Sequence, residues 1–225
     1  MRLVLLGLPG AGKGTQGELI ARKYGIPHIS TGAIIREAVA TGIGYGKEAD
    51  AYLTKGNLIP DDVAIEIVYD RLNKPDCRRG WILDGFPRTV HQAQALDKKL
   101  AQDGSDVQMA FEIRITKKSA IERIAKRRMC RDCGAIYHLE FHRAKGKGVC
   151  DLCGGELFRR DDDTEETARR RFYVYMQQTH PVMHYYAQDG RLYSVDGIRA
   201  IGDVFVDVDH HLQRLVAEQN VGEAQ

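Results

Sequence analysis

No stretch of this 225-residue sequence approaches the roughly 20 apolar residues that a bilayer-spanning helix needs, so no helical membrane span is expected. Met1-Arg2 and the four apolar residues after it imitate the start of a secretion signal. Gly7-Leu8-Pro9-Gly10 ends that run too early, and we expect a cytoplasmic protein with no membrane partner. Net charge is also scarce. The 33 Lys and Arg against 31 Asp and Glu leave +2, which makes no overall case for a nucleic-acid partner. Basic residues do cluster locally, as in Arg123, Lys126, Arg127 and Arg128. Internal repeats and low-complexity segments are missing. Cysteines number only five, and in a reducing cytoplasm their spacing reads better as metal chemistry than as disulfides. The length allows one large domain, or a core with insertions, and a substantial apolar interior.

What the sequence does have begins at its start. The apolar run Leu3-Val4-Leu5-Leu6 leads into Gly7-Leu8-Pro9-Gly10-Ala11-Gly12-Lys13-Gly14-Thr15-Gln16, and Glu18-Leu19-Ile20 follows. Strand, glycine-rich loop and helix start thus come in the order that holds a nucleotide's phosphates. Glycines let consecutive N–H groups turn inward on an anion, and the helix adds its partly positive N-terminus at the same point. Lys13 brings a full charge within reach of the β- and γ-phosphates. The strict pattern places Ser or Thr directly after the lysine. Gly14 intervenes here, so the hydroxyl for a magnesium shell falls to Thr15. The alternative is a strand-to-helix turn that merely contains glycine. The ligand implied by the loop is a nucleoside triphosphate.

Short apolar runs recur at 81–83, 109–113 and 192–195, between stretches of helical spacing at 14–24, 61–72, 90–103, 117–128, 165–179 and 203–217. Alternating strands and helices predict an α/β fold, a parallel sheet flanked by helices, with ligands beyond the strand C-termini. Gly10–Thr15 and Asp84 both fall there. Asp84 suits an outer partner of Mg²⁺, which keeps most of its waters; a capping aspartate is the alternative. Two segments break the alternation: 30–59, with Gly42, Gly44, Gly46 and Gly56, and 129 to about 160, with four cysteines. Insertions at that edge are natural lids. Residues 218–225 lack an apolar face and are expected to fray.

Cys130-Arg131-Asp132-Cys133 and Cys150-Asp151-Leu152-Cys153 make two C-x-x-C pairs with sixteen residues between them, a spacing suited to a four-thiolate structural zinc site. Two disulfides, free thiols and a nucleic-acid-binding zinc ribbon are the competing readings; Arg131, Arg143, Lys145 and Lys147 would suit the ribbon. His138 and His142 would serve as ligands only if a cysteine were missing. Cys77 is left over as a structural thiol.

Together with Asp84-Gly85-Phe86-Pro87-Arg88 and Ser30-Thr31-Gly32, these motifs resemble the adenylate kinases, of the bacterial type with a long zinc-containing lid. The resemblance runs from Leu3 to about Leu215. It implies a P-loop nucleoside monophosphate kinase fold with two mobile insertions: a core of 1–29, 60–126 and 165–225, an AMP-binding insertion at 30–59, and a lid at 127–164. It implies phosphoryl transfer from MgATP to AMP giving two ADP, by a monomer; a kinase for another monophosphate is the rival. By position, Thr31, Arg36, Arg88 and Gln92 resemble acceptor ligands, with Asn57, Leu58, Ile59, Gly85, Phe86 and Pro87 around them. Arg127, Ile136, Tyr137 and Arg199 fall on the ATP side with Gly10, Ala11, Gly12, Lys13, Gly14 and Thr15. Arg123, Arg160 and Arg171 join Lys13 and Arg88 as the catalytic cations, the last two arginines also on the AMP side. Asp162 and Asp163 are expected to tie the lid by pairing with arginines. Ala33 and Asn57 depart from the family, which has an acidic residue and commonly a lysine there.

Overall fold

A computed structural model describes residues 1–41 and 46–222. The first half of the chain runs β1 (Arg2–Leu6), α1 (Lys13–Tyr24), β2 (His28–Ser30), α2 (Thr31–Thr41), α3 (Gly46–Thr54), α4 (Asp61–Leu72), β3 (Trp81–Asp84) and α5 (Val90–Gln102). It continues with β4 (Met109–Arg114), α6 (Lys117–Ala125), β5 (Arg127–Cys130), β6 (Ile136–His138) and β7 (Leu157–Phe158). The last elements are α7 (Glu165–Val174), α8 (His180–Ala187), β8 (Leu192–Asp196) and α9 (Ile201–Gly222). No described helix is long and apolar enough to cross a membrane.

Five strands form a parallel sheet in the order β2-β3-β1-β4-β8, with Leu5 of β1 opposite Asp84 of β3 and Phe111 of β4. A strand turns successive side chains to opposite faces, and both faces of this sheet are covered, so β1 is apolar from Leu3 to Leu6. Leu3 and Leu5 pack with Ile20, Val204, Val208 and Leu212 from α1 and α9. Val4 and Leu6 pack with Val68, Leu96, Val182 and Tyr186 from α4, α5 and α8. This double burial fixes the strand ends, and the C-terminal ends of β1, β2 and β3 come out side by side. Beyond them α2 and α3 stand on one side. On the other, β6-β5-β7 form a small antiparallel sheet.

Two expectations need correction, and two details are added. The helix expected over 117–128 ends at Ala125, because Arg127, Arg128 and Met129 pair with His138, Tyr137 and Ile136 in the small sheet. The helical spacing at 165–179 continues beyond 179: a π turn over Tyr175–Thr179 joins α7 to α8. Pro181 accounts for the break, since its ring displaces the carbonyl one turn back and it has no N–H to donate. Residues 28–30 form a strand too short for its apolar pattern to show. The C-terminal helix runs to Gly222, so 218–222 take helical conformation. Gly42, Gly44 and residues 223–225 lie outside the described residues.

Candidate active site

The loop between β1 and α1 is shaped by close approach. A Cβ on Gly7, at φ 136°, would stand 2.6 Å from the carbonyl oxygen of Ile113 in β4, so only glycine fits. Lys13, the first residue of α1, folds back and donates to the carbonyls of Gly7 (2.9 Å) and Leu8 (3.1 Å). Burial lowers its pKa to about 8, with Arg88 and Arg127 adding to the effect and Asp84 opposing it. Gly14, the departure from the strict loop pattern, has a structural use. A Cβ there would meet Ile136 of β6 at 3.2 Å and Asp84 Oδ2 at 3.5 Å, so the missing side chain admits both.

Asp84 ends β3 beside this loop. Burial pushes its carboxyl up, but His28, Lys13 and Arg88 outweigh that and hold it below the ordinary carboxylate value. His28 Nε2 lies 3.5 Å from Asp84 Oδ2. Arg88 Nε donates to the Gly85 carbonyl at 2.7 Å. Arg160 pairs with Asp162, which Arg171 shares, and Arg127 donates to Asp163 Oδ2 at 2.8 Å. Asp163 is 1% exposed.

Arg36, Arg88 and Arg171 are all pressed below the ordinary guanidinium value, by burial first and then by neighbouring cations. Arg36 falls to about 9, under Arg160, Arg127 and Arg171, with Asp162 opposing. So many buried cations, with so few carboxylates among them, lack negative charge. Planar guanidinium forks with no proton to lose at neutral pH are the side chains that phosphates call for.

Lys13, Gly14, Arg36, Asp84, Arg88, Arg127, Arg160 and Arg171 line one cleft of about 660 Å³. So do residues 10–15, 57–59, 84–88, Thr31, Gln92, Arg123, Ile136, Tyr137 and Arg199. The structure therefore brings together every site residue expected from sequence outside the four cysteines. Individual placements add detail. Thr31 is 2% exposed and its hydroxyl has no hydrogen-bond partner among the described residues. Asn57 accepts from Arg170 Nε at 3.0 Å, and Arg199 pairs with Asp207 at 2.5 Å. Tyr137 turns its hydroxyl away, to Cys150 Sγ (3.4 Å) and the Asp151 N–H (2.8 Å). The Arg123 guanidinium lies 5.6 Å from the Phe141 ring centroid.

Residues 5–191 match the family model described as Adenylate kinase. The chain belongs to the adenylate kinase family. It is 49% identical to the adenylate kinase of Archaeoglobus fulgidus over 96% of this chain and 99% of that one. Its identity to the adenylate kinase of Bacillus subtilis is 50%, over 92% and 96% respectively. That of Bacillus velezensis is 51% identical, with the same coverage.

Sequence reasoning missed several residues of this family site. His28, Phe141 and His138 gave no motif. His138 stacks on Phe141 with centroids 4.7 Å apart, and its Nδ1 accepts from the N–H groups of Glu140 (3.1 Å) and Phe141 (3.2 Å). That leaves Nε2 as the protonated nitrogen; it is buried without a hydrogen-bond partner among the described residues, and the residue lines the cleft. The four cysteines lie outside the cleft, with sulfurs within 4.8 Å of one another. Cys130–Cys153 and Cys133–Cys150 are 3.4 and 3.6 Å apart. Those separations far exceed a disulfide bond of about 2.05 Å and approach the edge of about 3.8 Å in a tetrahedron of zinc–sulfur bonds. The donor set therefore fits Zn²⁺, and a closed four-thiolate shell holds structure only.

Proposed function

We propose that the protein transfers the terminal phosphoryl group of MgATP to AMP, giving two ADP. One observation carries this reading: a single cleft joins the loop around Lys13 to the pocket of Thr31, Arg36 and Gln92, with Arg88, Arg127, Arg160 and Arg171 along it. Two phosphate chains laid end to end would meet among those cations. Phosphoryl transfer asks little covalent work of a protein, and positioning with charge neutralisation supplies most of the acceleration. Residues 10–15 hold the donor phosphates, with Arg127, and the backbone of Ile136, Tyr137 and Arg199 borders the donor base. Arg123 works at this donor end, beside Phe141 and His138. Thr31, Arg36, Arg88 and Gln92, with 57–59 and 85–87, take the acceptor. Lys13, Arg88, Arg123, Arg160 and Arg171 act where charge moves.

Mg²⁺ bound with ATP neutralises charge between the phosphates, and Thr15 and Asp84 are placed to hold its waters. Segments 30–59 and 127–164 serve as closing insertions that keep water from the reaction. One chain supplies both subsites, which supports a monomer. Four clustered thiols support a reducing, cytoplasmic location, and a net charge of only +2 makes no overall case for a nucleic-acid partner. A phosphotransfer panel with ATP and each of AMP, GMP, CMP and UMP, with and without Mg²⁺, tests the reading. Activity with AMP that depends on Mg²⁺ is expected. A preference for another monophosphate would overturn the acceptor assignment.

A further inference from the structure

We propose that Asp61 is a positioning residue: it fixes which way round the Gln92 amide faces the acceptor base, and so makes the site choose a 6-aminopurine over a 6-oxopurine. This rests on the reading above that Gln92 meets that base. Gln92 is 2% exposed and lines the cleft. Its Oε1 accepts from the backbone N–H of Arg88 at 2.7 Å, and its Nε2 donates to Asp61 Oδ1 at 2.7 Å. A backbone N–H can only donate and a carboxylate can only accept, so the two partners allow one orientation of the amide. Asp61 is itself held. Its other oxygen accepts from the Thr89 hydroxyl at 2.6 Å, and that hydroxyl oxygen accepts the backbone N–H of Gln92 at 3.1 Å. His91 Nδ1 stands 3.3 Å from the same carboxylate oxygen. The ring of contacts closes between the first residue of α4 and the N-terminus of α5.

What Gln92 has left for a ligand is the second hydrogen of Nε2 and the second lone pair of Oε1, side by side in a set order. AMP presents an N1 acceptor beside a 6-amino donor. IMP presents the reverse, an N1–H donor beside a 6-oxo acceptor. A free amide turns over and pairs with either. A pinned amide pairs with one and sets donor against donor and acceptor against acceptor with the other. Buried polar groups left unpaired are the strong means by which a site rejects a near-isostere.

The test is steady-state phosphotransfer from ATP to AMP and to IMP by the full chain and by Asp61→Ala, Asp61→Asn and Gln92→Ala, with melting temperatures recorded. Asp61→Ala should lower the ratio of kcat/KM for AMP over IMP by on the order of tenfold, with the KM for ATP unchanged. Asp61→Asn should keep that ratio within about twofold, because its side-chain carbonyl can accept the same amide hydrogen. A wild-type ratio in Asp61→Ala, whether both substrates suffer equally or neither does, would reduce Asp61 to a staple between two helices and overturn the proposal. Gln92→Ala separates the two levels. A raised KM for AMP there keeps the acceptor reading whatever Asp61 does, and an unchanged KM for AMP overturns that reading.

Discussion

At the scale of single residues, Lys13 shows how burial tunes a charge for its task. It sits among backbone carbonyls with Asp84, Arg88 and Arg127 nearby, and desolvation lowers its pKa to about 8. Its ammonium is aimed at charge that moves during transfer, so Lys13→Met should cut kcat by about a hundredfold or more. Folding should change little, since the lysine faces the cleft; near-normal turnover would refute the role. The sign of the pH effect follows. Below about 8 the free protein carries the cation, and above it loses it, so kcat/KM for ATP should decline as pH rises through 8. An equally steep decline in Lys13→Met would assign that ionisation to another group. Lys13 was legible in the sequence because a phosphate cradle is local: its loop, lysine and helix are consecutive. Asp61 was not, because it meets Gln92 across 31 positions and its own neighbours form no motif.

At the scale of elements, the lid shows where reading by periodicity stops. Apolar spacing carried a helix through Arg128, yet pairing with β6 and β7 takes residues 127–130 into a sheet. The four-cysteine signature was legible because two knuckles need fixed short spacings, whatever surrounds them. The lid's own buried cluster is only Cys130, Ala135, Tyr137 and Cys150, with Ala144 and Leu157 packed on it, while Leu139, Phe141 and Leu152 stay exposed. So small a core cannot order the segment alone, and metal binding has to supply folding free energy, about 10–16 kcal/mol in isolated zinc modules. Elemental analysis should find one zinc per chain. Cys150→Ser, or a strong chelator, should lower the unfolding temperature. Turnover well below that temperature should change only modestly, through lid closure. A metal-free protein equally heat-resistant but inactive would make the ion catalytic instead.

At the scale of the whole molecule, the core and both insertions deliver their cations to one place. Arg36 comes from α2, Arg88 from the loop between β3 and α5, Arg127 from β5, Arg160 from the loop before α7, and Arg171 from α7 itself. The order of these elements was legible in the alternation of apolar runs; the convergence was not, since it depends on which strand ends lie side by side. Bringing like charges together opposes folding until an anion arrives, so the empty protein bears a cost that its ligands remove. Arg36 measures that cost. Burial, then Arg160, Arg127 and Arg171, press its pKa down to about 9 against the pull of Asp162, so its charge is held at a net disadvantage. Arg36→Met should therefore melt a few degrees above the parent when no ligand is present. Ligand linkage should run the other way. At a hundred times its dissociation constant, a bisubstrate analogue carrying both nucleosides on one phosphate chain adds about 2.7 kcal/mol. For a chain of this size that corresponds to a rise of about 5–10 °C in Tm. At the same analogue concentration the rise should be smaller in Arg36→Met, because an acceptor-phosphate contact is gone and affinity falls. Thermal scans with and without the analogue decide it. A variant that melts lower when empty and gains as much as the parent when loaded would show that Arg36 supports the fold and leaves the acceptor alone.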